Sequence, residues 1–252
     1  MSSLFSVEGR VALVTGGSAG IGRMIAAGLS EAGAKVFICA RHPDKVGRAA
    51  EEMGANVTGL VADVSTLDGI AALAAEIAAR APALHILVNN AGTLSDAPID
   101  DFSEAQWDDV IDLNLKSPFF LLQKLLPLLR AGATAERPST VINIGSVGAL
   151  KVGPREVYSY QASKGAIHWL TKSLAKRLGR DHITVNAIAP GFFESDMTVI
   201  KDEAMRTMVE SMVPRGRTGT PEDMAGAAIY LASRAGAYVT GSVLAVEGGL
   251  AI

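Results

Sequence analysis

Short, almost wholly apolar runs recur along the chain. Between them lie longer stretches in which apolar residues return every three or four positions. The runs are VALVTG (11–16), KVFICA (35–40), VTGLVA (57–62), HILVNNAG (85–92), TVINIGS (140–146), ITVNAIAP (183–190) and SVLAVEG (242–248). A strand that is apolar on successive positions is covered on both faces, as in a parallel sheet sandwiched between helices. The intervening patterns predict helices over 19–32, 44–53, 66–80, 104–131, 158–179 and 221–233. Strand and helix alternating from end to end predict right-handed crossovers. The expected fold is α/β: one Rossmann-type doubly wound domain over 1–252, with a seven-stranded parallel sheet and helices on both faces.

Residues 192–218 break this rhythm; they are Met-rich and helical in pattern, and they follow the sixth run. Ligands of open α/β sheets bind beyond the carboxyl ends of the strands. The insertion is therefore either a substrate lid or a helix pair packed on the surface. Thr220, Pro221 and Asp223 then supply a cap, a first-turn proline and an early acid for the next helix.

Composition narrows the partners. Apolar residues are 49% and charged residues 19% of the chain, enough for a sizeable core. The net charge of -3, with no basic run, argues against nucleic acid as the main partner. No apolar stretch is long enough to span a membrane, and MSSLFSVEGR lacks the charged-then-apolar pattern of an export signal. The single cysteine, Cys39, excludes an internal disulfide and a cysteine-rich metal site. It reads as a buried thiol in a reducing cytoplasm, and no metal is expected.

Candidate chemistry begins where the first run opens into TGGSAGIG, with Gly16, Gly20 and Gly22 between a strand and a helix. Glycines there permit a tight turn and close approach to a pyrophosphate, and the helix N-terminus offers free N–H groups. The second run ends in Ala40 and Arg41, with no acid before Asp44. An NAD site places an acid at that point, about 20 residues beyond the glycines. A guanidinium instead suits a 2′-phosphate, which favours NADP(H) over NAD. NNAG (89–92) is poor core material; Asn90 and the backbone of Ala91 and Gly92 meet either a ribose or a neighbouring strand. Asp63, ending the third run, either accepts from an adenine amino group or caps a turn.

In VYSYQASKGA (157–166), a helix puts Lys164 on the same face as Tyr160 and away from Tyr158. A neighbouring ammonium favours the phenolate, which makes Tyr160 a candidate proton donor and acceptor. Tyr158 either lines the loop before it or packs. Within 104–131, Pro118 has no N–H to bond the carbonyl of Asn114. The helix is expected to kink there. The freed oxygen receives either a relay water or nothing, the kink serving only to wrap the sheet.

TGGSAGIG, NNAG, NLKSPFF, NIGS, YQASK and APGFFES occur in an order and at a spacing that resemble the short-chain dehydrogenase/reductase family along almost the whole chain. The resemblance implies a catalytic set of Asn114, Ser146, Tyr160 and Lys164. The tyrosine would protonate a carbonyl as hydride arrives from a nicotinamide. The lysine would hold the nicotinamide ribose and lower the tyrosine's pKa, the serine would bond the substrate oxygen, and the asparagine would support a relay water. It also implies cofactor contacts at Gly16, Ser18, Ala19, Gly20, Ile21, Gly22, Arg41, Asp63, Val64, Asn90, Ala91, Gly92, Tyr160 and Lys164. Pro190, Gly191, Phe193 and Ser195 would hold the carboxamide. Two departures stand out: Ala19 replaces a basic residue common in NADP-using members, and the Ser146–Tyr160 gap is slightly long, which alters the substrate loop 147–157.

VFICAR, LLPLLR and VINIGSV are similar to reductases of 3-oxoacyl thioesters, and Leu150, Val152, Phe192, Phe193 and Met197 would suit an acyl substrate. The expectation is an NADPH-dependent ketone reductase with a small-molecule carbonyl or alcohol substrate. Two alternatives stand beside it: a sugar or polyol dehydrogenase with the same residues, and a non-catalytic NADP(H)-sensing regulator. The resemblance further implies a homotetramer, built through the helices near 104–131 and 158–179 and the apolar C-terminal tail.

Overall fold

The computed structural model describes residues 3–195, 200 and 202–252. All seven predicted strands form: β1 (Val11–Thr15), β2 (Lys35–Ala40), β3 (Val57–Val61), β4 (Ile86–Asn89), β5 (Ser139–Ile144), β6 (Ile183–Pro190) and β7 (Val243–Val246). They make one sheet in the order β3-β2-β1-β4-β5-β6-β7, with every pairing parallel. The order reverses between β1 and β4, so a crevice opens above their carboxyl ends.

The helices are α1 (Gly20–Glu31), α2 (Pro43–Met53), α3 (Leu67–Arg80), α4 (Glu104–Ile111), α5 (Ser117–Ala131), α6 (Tyr158–Leu178), α7 (Glu203–Met212) and α8 (Pro221–Ala232). Successive strand residues point to opposite faces, and the core divides accordingly. Ala12, Val14, Val36 and Ile38 pack with Ile25, Val46 and Met224 of α1, α2 and α8. Leu13, Phe37 and Cys39 pack with Ile70, Leu121 and Leu178 of α3, α5 and α6. Burial pushes the Cys39 thiol up to about 12, so it is an inert core thiol.

At the amino ends of the strands, buried Arg10 donates to the carbonyls of Ala232 at 3.0 Å, His85 at 3.3 Å and Pro138 at 2.5 Å. That guanidinium joins the end of α8 to the segments that lead into β4 and β5.

One expectation needs correction. The single helix over 104–131 is two helices joined by a π-turn at Asp112–Lys116, where the Ser117 N–H bonds the Asp112 carbonyl. Pro118 cannot continue the α-helical ladder, and one widened turn absorbs the missing bond. The insertion over 192–218 contains one described helix, α7, opened by the Asp202 side chain accepting from the Met205 N–H at 2.8 Å. Phe193 bridges to Gly219 beneath it. Met197, expected among the acyl contacts, lies outside the described residues.

Candidate active site

The crevice begins with the glycine turn. Gly16 and Gly20 take φ of 63° and 50°, a left-handed backbone that side chains resist. α1 starts at Gly20 with Ala19 in the capping position and no side-chain cap, so its first N–H groups remain available to an anion. A Cβ on Gly22 would collide with Asn90 Nδ2 and the Gly16 carbonyl. Asn90 Nδ2 donates to the Thr15 carbonyl at 2.9 Å and the Gly16 carbonyl at 3.2 Å. The N–H groups of Asn90 and Ala91 both donate to Thr15 Oγ1, at 3.0 and 2.9 Å. The Asn90 side chain therefore ties β4 to the glycine turn, the neighbouring-strand reading of NNAG.

A cleft of about 680 Å³ opens from this turn across the ends of β4, β5 and β6. Ser146, Tyr160 and Lys164 line it, with Gly16, Ala19, Gly20, Ile21, Asn90, Ala91, Gly92, Pro190, Gly191, Phe193 and Ser195. Ser195 faces the glycine turn: its Cβ lies 3.1 Å from where a Gly20 Cβ would stand.

Lys164 and Tyr160 sit on one face of α6, with Nζ 5.6 Å from the ring centroid. The Lys164 ammonium donates to the Ile144 carbonyl at 2.7 Å, and burial pulls its pKa down to about 8. Ser146 begins the turn after β5, and its Oγ accepts from the Gly148 N–H at 3.0 Å. Burial raises the Tyr160 phenol above its ordinary range, opposed by a hydrogen bond from Ser146 and by the charge of Arg155. This differs from the lowering that the resemblance implies. Lys164 is directed at a backbone carbonyl, and desolvation of the phenol dominates.

Asn114 is buried at the π-turn, outside the cleft wall. Its Oδ1 accepts from the Thr93 N–H, and its Nδ2 donates to the Thr93 carbonyl, both at 2.9 Å. Nδ2 also donates to Ser163 Oγ at 3.2 Å, and Ser163 Oγ donates to the Tyr160 carbonyl at 2.7 Å. The chain of contacts links the β4 loop, the π-turn and the first turn of α6.

Other expected residues lie elsewhere. Ser18, Gly22, Arg41, Asp63 and Val64 do not line this cleft. Arg41 is exposed at the end of β2. Asp63 Oδ1 accepts from the Ser65 N–H at 3.0 Å and Ser65 Oγ at 2.7 Å, a turn cap. Those bonds, with the nearby Arg41 charge, hold its carboxyl below the usual range. The Val64 side chain is buried in the core rather than turned to the cleft. Tyr158 packs: its hydroxyl donates to Glu156 at 2.6 Å and its ring meets Phe102 edge-on.

Val152, Phe192 and Phe193 border the cleft, whereas Leu150 is exposed and does not. Sequence reasoning missed Leu94, Lys151, Arg155, Met212 and Leu250, which also line it. The two cations in the loop before Tyr160 were the readable signal. Leu250 and Met212 depend on long-range packing that no local pattern announces.

A family profile described as enoyl-(acyl carrier protein) reductase matches residues 16–251. The chain is 46% identical over 253 residues to the rhamnolipids biosynthesis 3-oxoacyl-[acyl-carrier-protein] reductase of Pseudomonas aeruginosa, covering 99% of each. It is 38% identical over 255 residues to the 2-dehydro-3-deoxy-D-gluconate 5-dehydrogenase of Pseudoalteromonas atlantica, covering 99% of this chain and 98% of that one. The solved active-site complex of Pseudomonas aeruginosa RhlG with NADP superposes with a TM-score of 0.97 at 46% identity, over the full length of both chains.

The packing of Gly22 yields a prediction. Gly22→Ala should lower stability by about 1–3 kcal/mol through overpacking, and it should abolish the thermal shift that NADPH gives the native chain. Urea and thermal unfolding with and without NADPH read both. An unchanged NADPH shift would show that the turn accommodates a side chain.

Proposed function

The chain belongs to the short-chain dehydrogenase/reductase family, and from that premise we propose an NADPH-dependent reductase of ketones, 3-oxoacyl thioesters or close analogues, with Tyr160 as general acid. The observation that carries this reading is that Tyr160 and Ser146 line one cleft, with Lys164 beside the phenol ring, and that this cleft starts at the glycine turn.

The residues fit a phosphorylated dinucleotide. The uncapped N-terminus of α1 and the left-handed glycines form a cradle that side chains would fill. Gly16, Ser18, Ala19, Gly20, Ile21 and Gly22 are assigned to the diphosphate, and Arg41 to the 2′-phosphate. Asp63 and Val64 are assigned to the adenine end. Asn90, Ala91, Gly92, Tyr160 and Lys164 are assigned to the ribose side, and Pro190, Gly191, Phe193 and Ser195 to the carboxamide. NADPH, when bound, supplies the hydride.

The chain supplies the rest. A phenol raised by burial is protonated at neutral pH, as a proton donor must be. Tyr160 and Ser146 direct two hydroxyls at one carbonyl oxygen, each stabilising developing negative charge by about 2–4 kcal/mol. The Asn114 carbonyl, which Pro118 cannot bond, is assigned to a water that returns the proton. A regulator that only sensed the nucleotide would need the glycine turn and ribose contacts but not this hydroxyl pair.

Met212, at the end of α7, borders the cleft, which supports reading 192–218 as a lid. Exposed Trp107, Phe119 and Trp169 on α4, α5 and α6, with the half-exposed outer strand β7, support a homotetramer. We assign the enzyme to the cytoplasm on its reductive chemistry and single buried thiol.

Tyr160→Phe is expected to lower kcat roughly 10²–10⁴-fold while leaving NADPH affinity nearly unchanged; stopped-flow rates and NADPH fluorescence measure the two. A fully active variant would remove Tyr160 as the acid. Static light scattering should give four times the chain mass of 26.1 kDa, and a monomer would refute the tetramer.

A further inference from the structure

The cleft has an unusual charge distribution for a chain of net charge -3. Among the described residues, the charged ones lining it are Lys151, Arg155 and Lys164, with no aspartate or glutamate. Lys164 is buried under Tyr160. Lys151 and Arg155 are exposed, on the loop between Ser146 and α6, across the cleft from the glycine turn.

Two acids on these loops, Glu156 and Asp96, are already engaged. Glu156 accepts from the Tyr158 hydroxyl. Asp96, on the loop after β4, accepts from Arg155 Nε at 2.8 Å. The Ala97 N–H bonds the Glu156 carbonyl at 3.3 Å and pins the two loops together beside that pair. Lys151 Nζ donates to the Leu250 carbonyl at 3.1 Å.

Arg155 and Asp96 retain side-chain exposures of 54% and 42%. A pair this exposed contributes little and is exchanged readily. Among the described residues Arg155 bonds Asp96 through Nε alone, so both terminal nitrogens remain available for a planar or tetrahedral anion. Arg155 and Tyr160 line the same cleft, so a molecule held at Arg155 can also reach the reacting end.

We propose that Arg155, with Lys151 on the same loop, receives an anionic group of the substrate, a carboxylate or phosphate remote from the ketone, by exchanging Asp96 for that group. The proposal rests on the ketone-reductase reading and specifies its substrate class. Both anion sources fit one guanidinium: a keto acid or sugar acid carries a carboxylate, and a thioester on a phosphorylated carrier carries phosphate.

Matched substrates separate the sources under saturating NADPH. Acetoacetyl-CoA is compared with neutral S-acetoacetyl-N-acetylcysteamine, and 4-oxopentanoate with its methyl ester. In at least one pair the native enzyme should prefer the anionic member about 10-fold or more in kcat/KM, through KM. The pair that shows the preference identifies the anion. Arg155→Gln should remove the preference, lowering kcat/KM for the anionic member about 10-fold more than for the neutral one, and change the KM for NADPH less than about 2-fold. Asp96→Asn should lower the KM of the anionic member.

Equal losses on both members of a pair would assign Arg155 a structural role and overturn the proposal, as would no preference in either pair. Failure to turn over any ketone would sink the reductase reading itself. The anion claim would then be decided by titrating the protein–NADPH complex with CoA and with 4-oxopentanoate by nucleotide fluorescence. Binding that weakens about 10-fold or more in Arg155→Gln upholds it, and binding that is absent or unaltered overturns it.

Discussion

The contact between the Lys164 ammonium and the Ile144 carbonyl fixes the rest of the site. It joins α6 to the end of β5 at 2.7 Å, and it sets the azimuth of the helix turn that carries Tyr160. The joint is costly. The folded pKa of about 8 lies below the ordinary 10.5, so the unfolded chain binds more protons between those values and stability rises with pH across that window. Below about pH 8 the full penalty applies, roughly 3 kcal/mol by linkage. A core chosen for stability alone would place an apolar residue there. The cation is intelligible as a functional group held where water cannot average its position.

Backbone irregularities complete the arrangement. The π-turn at 112–116 swings Asn114 inward, where its amide grips Thr93 from both sides and reaches Ser163 below Tyr160. On the opposite wall, Asn90 and Thr15 hold the glycine turn through side-chain bonds, so the mouth of the cleft is braced without placing a side chain in it. His168, one turn beyond Lys164, packs its ring against Gly145. Its pKa is lowered by burial and by the charges of Lys164 and Lys172, so it stays neutral behind the ammonium. Asn114 and His168 ride on helical elements, and Asn90 directly follows β4.

Much of this was legible in the residues. Strands such as KVFICA are apolar on both faces because helices cover both, and a period-2 alternation would have meant a different fold. Tyr160 and Lys164 share a face by helix geometry alone. The π-turn was only half legible: Pro118 announces a missing donor, but the widened turn depends on Asn114 being drawn to Thr93, a contact between distant segments. The phenol's upward shift was misjudged for a similar reason. Spacing puts an ammonium near the ring, yet only the fold directs that ammonium to a carbonyl and buries the ring. At the end of β3 the sequence left open whether Asp63 caps a turn, and the fold shows that it does while the Val64 side chain packs in the core.

Heteronuclear NMR titration of the Lys164 side-chain nitrogen, assigned by comparison with Lys164→Met, tests the central claim most directly. The account predicts a midpoint near pH 8 in the folded protein. A midpoint at the ordinary 10.5 would mean that the ammonium lies in water, with neither the joint to β5 nor the fixed phenol that the proposed chemistry requires.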